Sequence, residues 1–234
     1  MEYSYNTIKD NLTAIRSRIA EECDKYGRAP ESVEIMAVTK TVPAEIVNYV
    51  FDMGIDLIGE NRVQEYLSKQ QDYASLTSLG TSPRVHFIGH LQTNKVKYIT
   101  ESVSMIQSVD SVRLASEISR QCVAKGRVMD VLCEVNIGGE TSKSGIAPDE
   151  LGDLLKAVSE LEGIRLRGLM TIPPPSESDI YLGRMGGIYE KYAAEYDMDV
   201  LSMGMSGDYA RAVRYGSTLV RVGTGLFGAR NYNV

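Results

Sequence analysis

The hydrophobic and polar positions of this chain change their spacing several times, and the changes predict alternating helices and strands. Near the start, apolar residues recur every three or four positions from Ile8 to Cys23, which predicts one amphipathic helix. Gly27 and Pro30 follow and end it. Further along, short apolar runs rich in valine, isoleucine and leucine alternate with amphipathic stretches. This order is typical of β-strands that are joined by helices.

Eight of the apolar runs have the length and composition of strands. They cover residues 33–39, 57–59, 85–88, 105–109, 128–135, 164–172, 200–203 and 218–222. Helical patterns lie between them, one opening with Pro43 and one capped by Ser111. Eight β-then-α units predict an α/β fold, a closed (β/α)8 TIM barrel of parallel strands with an extra N-terminal helix. An open doubly wound sheet is the alternative. Because no shift in composition marks a linker, we expect residues 1–234 to form a single domain.

Charge and composition exclude several classes of protein. The 234 residues carry a net charge of −6, which argues against a nucleic-acid surface. No apolar run approaches the roughly 20 residues that span a bilayer, and the polar N-terminus lacks the pattern of a signal peptide. The three cysteines (Cys23, Cys122 and Cys133) form no CxxC pair and only two histidines accompany them, so we expect no metal site. We therefore expect a cytoplasmic protein with buried, reduced thiols.

The predicted strands end mostly in polar residues. In a TIM barrel these C-terminal ends form the functional face, and phosphate often binds at the loops after the seventh and eighth strands. Closure of the barrel would place the first strand beside the eighth, so that Lys40 becomes a neighbour of Arg221 and of residues 223–225. The strand-end residues are Lys40, Glu60, Asn61, Gly89, His90, Ser108, Asp110, Asn136, Met170, Ser206 and Arg221.

Two glycine-rich turns and one lysine predict the chemistry of this face. The turns, residues 203–208 and 222–225, allow backbone N–H groups to approach a phosphate closely. Lys40 would lie in an apolar and cationic environment, where an amine loses its proton more readily and can attack an aldehyde. A primary amine beside a phosphate cradle is what a pyridoxal-phosphate site requires.

At these residues the chain resembles the YggS/PROSC family of pyridoxal-phosphate-binding proteins. The similarity extends from about Thr7 to Arg230, with the matching motifs in the same order. The motifs are AVTK at 37–40, GENRVQE at 59–65, HFIGHLQ at 86–92, GLMT at 168–171, SMGMS at 202–206 and RVGT at 221–224.

This family is similar in turn to the barrel domain of alanine racemase and of eukaryotic-type ornithine decarboxylase. The resemblance implies that Lys40 holds pyridoxal 5'-phosphate covalently as an aldimine (a Schiff base). It implies that Arg221 faces the pyridine nitrogen and that Asn61 and Met170 line the ring. The residues expected to hold the phosphate are Ser206, Gly207, Gly223 and Thr224.

The arginine indicates a carrier rather than a catalyst. An arginine has only donors and stays charged, so a pyridine nitrogen facing Arg221 remains unprotonated and the ring is a weak electron sink. Racemases of this type add a tyrosine base from a second, β-rich domain. With Val234 following the eighth strand by about ten residues, we expect no such domain and no catalytic residue. We therefore expect a non-catalytic protein of cofactor homeostasis that binds pyridoxal phosphate reversibly and contacts apo-enzymes only transiently. The acidic net charge and the absent dimer-forming domain favour a monomer.

Two other functions stay open at this point. The chain could be a weak amino-acid racemase or decarboxylase with His90 as its base, although a histidine there could equally cap a helix. It could also be a phosphate-ligand barrel enzyme without a cofactor, in which case Lys40 has no role. Lys143, in the loop 139–145, is either an ordinary loop lysine or a rim amine that receives the aldehyde on release.

Overall fold

A computed structural model describes residues 3–141 and 143–228; Arg230, Val234 and Ser142 of the loop 139–145 lie outside the described residues. The first element is helix α1 (Tyr5–Lys25), whose buried face carries the five apolar residues that predicted it, from Ile8 to Cys23. Gly27 adopts a left-handed backbone (φ +64°) just beyond its end, which confirms the predicted stop.

Eight strands then form a closed, entirely parallel barrel in chain order, which confirms the predicted TIM-barrel fold. Closure is made by β1 and β8, where Met36 pairs with Arg221. The strands are β1 (Glu34–Val38), β2 (Leu57–Glu60), β3 (Arg84–Phe87), β4 (Met105–Val109), β5 (Met129–Val135), β6 (Ile164–Thr171), β7 (Val200–Ser202) and β8 (Leu219–Val222).

Helices connect the strands on the outside of the barrel. Ser111 caps α4 as predicted, because its hydroxyl accepts the N–H of Leu114 at 3.4 Å. Pro43 precedes α2 instead of lying in its first turn, and α5 begins three residues after Pro148 because residues 148–150 form a turn. The helices are α2 (Ala44–Asp52), α3 (Val63–Lys69), α4 (Val112–Val123), α5 (Leu151–Ser159), α6 (Ser178–Ala193), α7 (Tyr209–Arg214) and α8 (Thr224–Phe227); a 3-10 helix, Thr93–Tyr98, joins β3 to β4.

The hydrophobic core has an outer and an inner part because strand side chains alternate in direction. Ala37 packs with the helices, whereas Met36 and Val38 belong to a separate cluster within the barrel. Helix α1 packs against α7 and α8, and the Asn11 amide donates to the carbonyl of Leu226 at 2.9 Å. The extra N-terminal helix therefore supports the segment that follows β8. No helix among the described residues has the length and apolarity needed to cross a membrane.

Strand β6 contains an irregularity that only glycine permits. Its register against β5 shifts between Val131 and Leu132, so that Arg167 is an extra residue before Gly168. Gly168 has φ +156°, and a Cβ there would collide with the carbonyl oxygen of Val200 on β7. The neighbouring strand can approach closely only because this side chain is absent.

Gly168→Ala should therefore destabilise the barrel by at least about 2 kcal/mol, because backbone atoms rather than a flexible side chain must move. Gly187→Ala is the matched control: Gly187 is an exposed residue of α6 and a Cβ there meets nothing within 4 Å. We expect this control to be neutral or stabilising by up to about 1 kcal/mol. Urea unfolding of both variants checks the prediction, and equal unfolding midpoints would contradict it.

Candidate functional site

A cavity of about 330 Å³ opens at the C-terminal ends of the strands, within the size range of small-ligand pockets. Among the eight residues predicted to bind the cofactor, Met170 is the one outside its lining. Met170 is fully buried inside the barrel with Met105 and Leu132. Ile172, which the sequence reading did not select, lines the cavity instead. The lining residues are Val38, Lys40, Asn61, Ile88, Ile172, Met205, Ser206, Gly207, Arg221, Gly223 and Thr224.

The turn that carries Lys40 is held by a buried ammonium group. Nζ of Lys69, on α3, donates to the carbonyl oxygens of Thr39 at 2.8 Å and of Val42 at 3.3 Å. Between them, Thr41 adopts a left-handed backbone (φ +62°), which costs a β-branched residue of order 1–3 kcal/mol. Lys69 therefore bridges both ends of a strained turn and fixes the position of the Lys40 backbone.

Two carboxylates complete this network. Nζ of Lys69 lies 2.9 Å from Oε1 of Glu60 and 2.9 Å from Oε1 of Glu65. Glu60 is fully buried and its Oε1 also accepts from the hydroxyls of Thr39 at 2.6 Å and Tyr73 at 2.9 Å. Burial and the negative charge of Glu60 raise the pKa of Tyr73, so its phenol stays a donor. A buried lysine on a helix face gives no signal in the sequence, because a lysine there is usually solvated.

The glycine-rich turns meet at one oxygen atom. The N–H groups of Gly223 and Gly225 donate to Oγ of Ser206 at 3.3 Å and 2.9 Å. Two backbone donors that converge on a single oxygen have the geometry of an anion site. Gly207 lines the same wall, and a Cβ built on it meets nothing within 4 Å. The neighbouring helices α7 and α8 have only six and four residues, so the N–H groups rather than a helix dipole supply the attraction.

Arg221 is held by a chain of hydrogen bonds that crosses the barrel interior. Its Nη1 donates to Oγ of Ser202 at 2.6 Å and its Nη2 to the carbonyl of Thr171 at 2.7 Å. Ser202 Oγ donates to Oε1 of Gln107 at 2.7 Å, and Gln107 Nε2 lies 2.9 Å from Nδ1 of His86. Burial lowers the pKa of His86 to about 3, so its ring is neutral and can accept from the amide. Burial also lowers the pKa of Arg221 to about 10, which leaves it charged at neutral pH.

These residues fit the cofactor that the sequence implies. The cavity combines an amine, a converging pair of N–H donors and a fixed cation, which suit an aldehyde, a phosphate and an unprotonated ring nitrogen respectively. Asn61 also lines the cavity, and its buried Oδ1 has no hydrogen-bond partner in the described part of the chain. An unpartnered buried acceptor is expected where a ligand supplies the donor.

A second cavity of about 280 Å³ adjoins the first, and we call it the side cavity. The two share the walls formed by Asn61, Ile88 and Ile172. His90 and Lys143, whose roles the sequence left open, both line it. The remaining lining residues are Gly89, Glu134, Val135 and Ser144.

The charged groups of the side cavity are mostly paired. His90 does not cap the following 3-10 helix, which begins at Thr93. Its Nδ1 lies 3.4 Å from Oγ of Ser144 and 3.7 Å from Oδ2 of Asp110. Nζ of Lys143 lies 2.5 Å from Oε2 of Glu140. Both side chains therefore belong to local contacts at the rim.

Glu134 differs from these groups. The residue is 7% exposed, and within the described residues its carboxylate makes no hydrogen bond and no ion pair. Burial and the negative charge of Asp110 raise the pKa of Glu134 to about 7, against an opposing effect of Arg221. The sequence analysis did not select Glu134, because it lies inside an apolar strand and not at its end.

The sequence matches the family described as "Alanine racemase, N-terminal domain" over residues 6–231. It is 40% identical over 229 residues to the pyridoxal phosphate homeostasis protein of Aquifex aeolicus, covering 95% of this chain and 98% of that protein. The protein of the same name from Escherichia coli K12 is 38% identical over 233 residues, covering 97% of this chain and 99% of the relative.

Solved structures give the same relationship. PipY of Synechococcus elongatus, solved with PLP bound, is 31% identical with a TM-score of 0.81, covering 94% of this chain and all of PipY. An unknown protein from Bifidobacterium adolescentis is 36% identical with a TM-score of 0.89, covering 95% of both chains. Alanine racemase of Clostridium difficile shares the fold at 16% identity and a TM-score of 0.73, and the match covers 58% of that enzyme.

Lys69→Met should destabilise the protein by about 3–5 kcal/mol, because it leaves the buried carboxylate of Glu60 and the half-buried carboxylate of Glu65 beside no cation. The amide of Thr41, at the strained turn, should also exchange with solvent faster once Lys69 no longer holds the turn. Urea unfolding and amide hydrogen exchange measure both effects. Lys156→Met, on the exposed face of α5, is the control and should change stability by less than about 0.5 kcal/mol. Unchanged exchange at Thr41 would contradict the role of Lys69.

Glu134→Gln should stabilise the protein at pH 7.5 but not at pH 4. The carboxyl titrates near pH 7 in the folded state against an ordinary value of 4.5. Between these values the folded state retains a proton that the unfolded state releases, so the stability of the parent protein falls as the pH rises from 4.5 to 7. The substitution removes this loss of stability. Above pH 7 the free energy of unfolding of Glu134→Gln should therefore exceed that of the parent protein by up to about 3 kcal/mol.

Urea unfolding of both proteins at pH 4, 5.5 and 7.5 measures this gap. Asp153→Asn, an exposed carboxylate of α5, is the control and should show no comparable gap. A difference between parent and Glu134→Gln that does not vary with pH would show that the carboxylate titrates normally.

Proposed function

This chain belongs to the family of alanine racemase N-terminal domains, and on that premise we propose that it is a pyridoxal 5'-phosphate-binding protein that takes part in homeostasis of this cofactor. The relatives named pyridoxal phosphate homeostasis protein match it over nearly their whole length, and PipY was solved with PLP bound. The observation that carries the proposal is the meeting of Lys40, both glycine-rich turns and Arg221 at one cavity.

Each wall of this cavity has a separate task. When bound, pyridoxal phosphate supplies an aldehyde carbon that reacts reversibly with a primary amine. Lys40 is the amine that would hold it, on the turn that Lys69 fixes. Ser206 would donate its hydroxyl to the phosphate, because its Oγ already accepts from the N–H groups of Gly223 and Gly225, which hold it in place. Gly207, Gly223 and Thr224 line the same wall, where Gly207 leaves space for the phosphate and Thr224 would donate its hydroxyl to it.

We further propose that the protein acts mainly as a carrier. Arg221 offers only N–H donors and is fixed by Ser202 and Thr171, so it cannot protonate a ring nitrogen that faces it. Strong carbanion stabilisation on this cofactor uses a carboxylate at that position. We propose that this single-domain protein is a cytoplasmic monomer that releases the cofactor in transient contacts with apo-enzymes.

A weak racemase activity is the second candidate, and the position of His90 favours it. The imidazole lines the side cavity, which shares three walls with the cofactor cavity. It is also more than half exposed, at 60% of the side chain, so proton exchange with water competes with any transfer to a substrate.

Pyridoxal phosphate should give the parent protein a yellow absorbance band that borohydride fixes onto Lys40, and Lys40→Ala should show neither the band nor the fixed adduct. Absorbance spectra followed by peptide mass spectrometry check this. Lys156→Ala, an exposed lysine on α5, is the matched control and should behave like the parent protein.

A parent protein without the band would contradict the proposed function and favour a barrel that binds another phosphate ligand. Exchange of the α-hydrogen of alanine for deuterium separates carrier from racemase. The carrier proposal fails if exchange is rapid in the parent protein and lost in His90→Ala.

A further inference from the structure

The carboxylate of Glu134 is the one charged group of the side cavity that makes no direct hydrogen bond or ion pair with the described residues; Arg221 acts on it only through space. Glu134 is 7% exposed, and its carboxylate accepts no hydrogen bond from the described residues. Buried charges in folded proteins are paired, because an isolated ion loses its hydration without compensation. Within the described residues this carboxylate therefore has room at the side cavity for a ligand that brings its own donors.

The other charges of this cavity are already balanced. Lys143 is paired with Glu140 at 2.5 Å, and His90 lies 3.7 Å from Asp110. Arg221 attracts Glu134 through space, but its Nη groups donate to Ser202 and Thr171. These acceptors are neutral, so Glu134 compensates part of the charge of Arg221 from a distance, but Arg221 does not line the side cavity. The one carboxylate without a direct partner in the lining therefore suits a cation better than an anion.

A second acceptor without a donor faces the same space. Asn61 lines the side cavity, and its buried Oδ1 accepts no hydrogen bond within the described residues. Two separate acceptors match an ammonium group, which carries three N–H donors. Calcium would need six to eight oxygen ligands, and magnesium an octahedron of them, which one carboxylate and one amide do not provide.

We propose that the side cavity binds the primary ammonium group of an alkylamine, with Glu134 as its charge partner and Asn61 as its second acceptor. The inference rests on the proposed function, because an amine is what displaces Lys40 from the aldehyde carbon of the cofactor. Asn61, Ile88 and Ile172 separate the two cavities as shared walls, so a bound amine would lie next to the cofactor cavity.

Glu134 would also prepare this amine for reaction. The ammonium group R–NH₃⁺ gives one proton to a carboxylate oxygen of Glu134, which leaves neutral R–NH₂ and a neutral carboxyl group. No bond to carbon changes in this step. Burial raises the pKa of Glu134 to about 7, which is closer to the roughly 10.4 of an alkylammonium than an ordinary carboxylate comes, so the neutral pair is a minor species that forms more often here than in water. Only the neutral amine has a lone pair with which to attack an aldehyde carbon.

Binding of butylamine to the cofactor-free protein tests the proposal without any reaction at Lys40. Titration followed by NMR should show saturable shifts in the parent protein and at least a tenfold weaker affinity in Glu134→Gln, which keeps the shape of the side chain. Asp153→Asn should bind butylamine like the parent protein, because Asp153 lies on the exposed face of α5. Butyrate, with the opposite charge, should not bind.

Equal affinities of the parent protein and Glu134→Gln for butylamine would overturn the proposal, as would binding of butyrate in preference to butylamine. Circular dichroism confirms that Glu134→Gln is folded, and Asn61→Ala gives a second variant that should weaken the amine independently. The borohydride experiment on Lys40 measures cofactor binding separately. Failure of the proposed amine site and failure of the proposed cofactor site can therefore be distinguished.

The same titration distinguishes the two sources of such an amine. A lysine capped at both backbone ends presents the side chain as an acceptor protein would, whereas butylamine represents a free small amine. If both bind through Glu134, the cavity admits a protein lysine. If only butylamine binds, the ligand is a free amine and delivery to a lysine requires another route.

Discussion

Closure of the barrel between β1 and β8 is the constraint on which the site depends. The backbone pairing of Met36 with Arg221 brings residues that are 185 positions apart into register. Lys40 lies just beyond one of these strands, and the second glycine-rich turn lies just beyond the other. The cofactor cavity forms only when the first strand pairs with the last. The chemistry of the site therefore depends on this one pairing.

The interior of the barrel then fixes the polar groups that this closure assembles. Arg221 is held through Ser202, Gln107 and His86, each of which has a partner with suitable donor and acceptor character. Lys69 holds the turn that carries Lys40 in the same way, through hydrogen bonds to the carbonyls of Thr39 and Val42. Because buried polar groups that are fully satisfied hold one geometry, the cofactor cavity is largely formed before a ligand arrives.

Glu134 and Asn61 show the opposite condition. Both line the side cavity. The buried Oδ1 of Asn61 accepts no hydrogen bond within the described residues, and the carboxylate of Glu134 makes no direct ion pair with them. Two acceptors that face one cavity without a direct donor are suited to a ligand that brings its own N–H groups. The reversible carrier and its amine acceptor would then use neighbouring cavities that share a wall.

Much of this arrangement was readable from local patterns, since apolar spacing responds directly to the geometry of helices and strands. The eight strands, the buried face of α1 and the cap at Ser111 were all predicted, with boundaries that shifted by up to three residues. Seven of the eight predicted cofactor residues line the cavity; the eighth, Met170, lies one layer deeper inside the barrel, and Ile172, two residues further along the same face, takes the position in the cavity wall.

The chain by itself determined the order of elements and, through barrel closure, the neighbours of Lys40. Only the tertiary structure decided which charges are buried and whether they are paired. Lys69 and Glu134 look like an ordinary surface lysine and an isolated polar residue in a strand, since their significance depends on distant segments that pack around them. Local sequence patterns record which way a side chain faces, but the partner that compensates a buried charge comes from elsewhere in the fold.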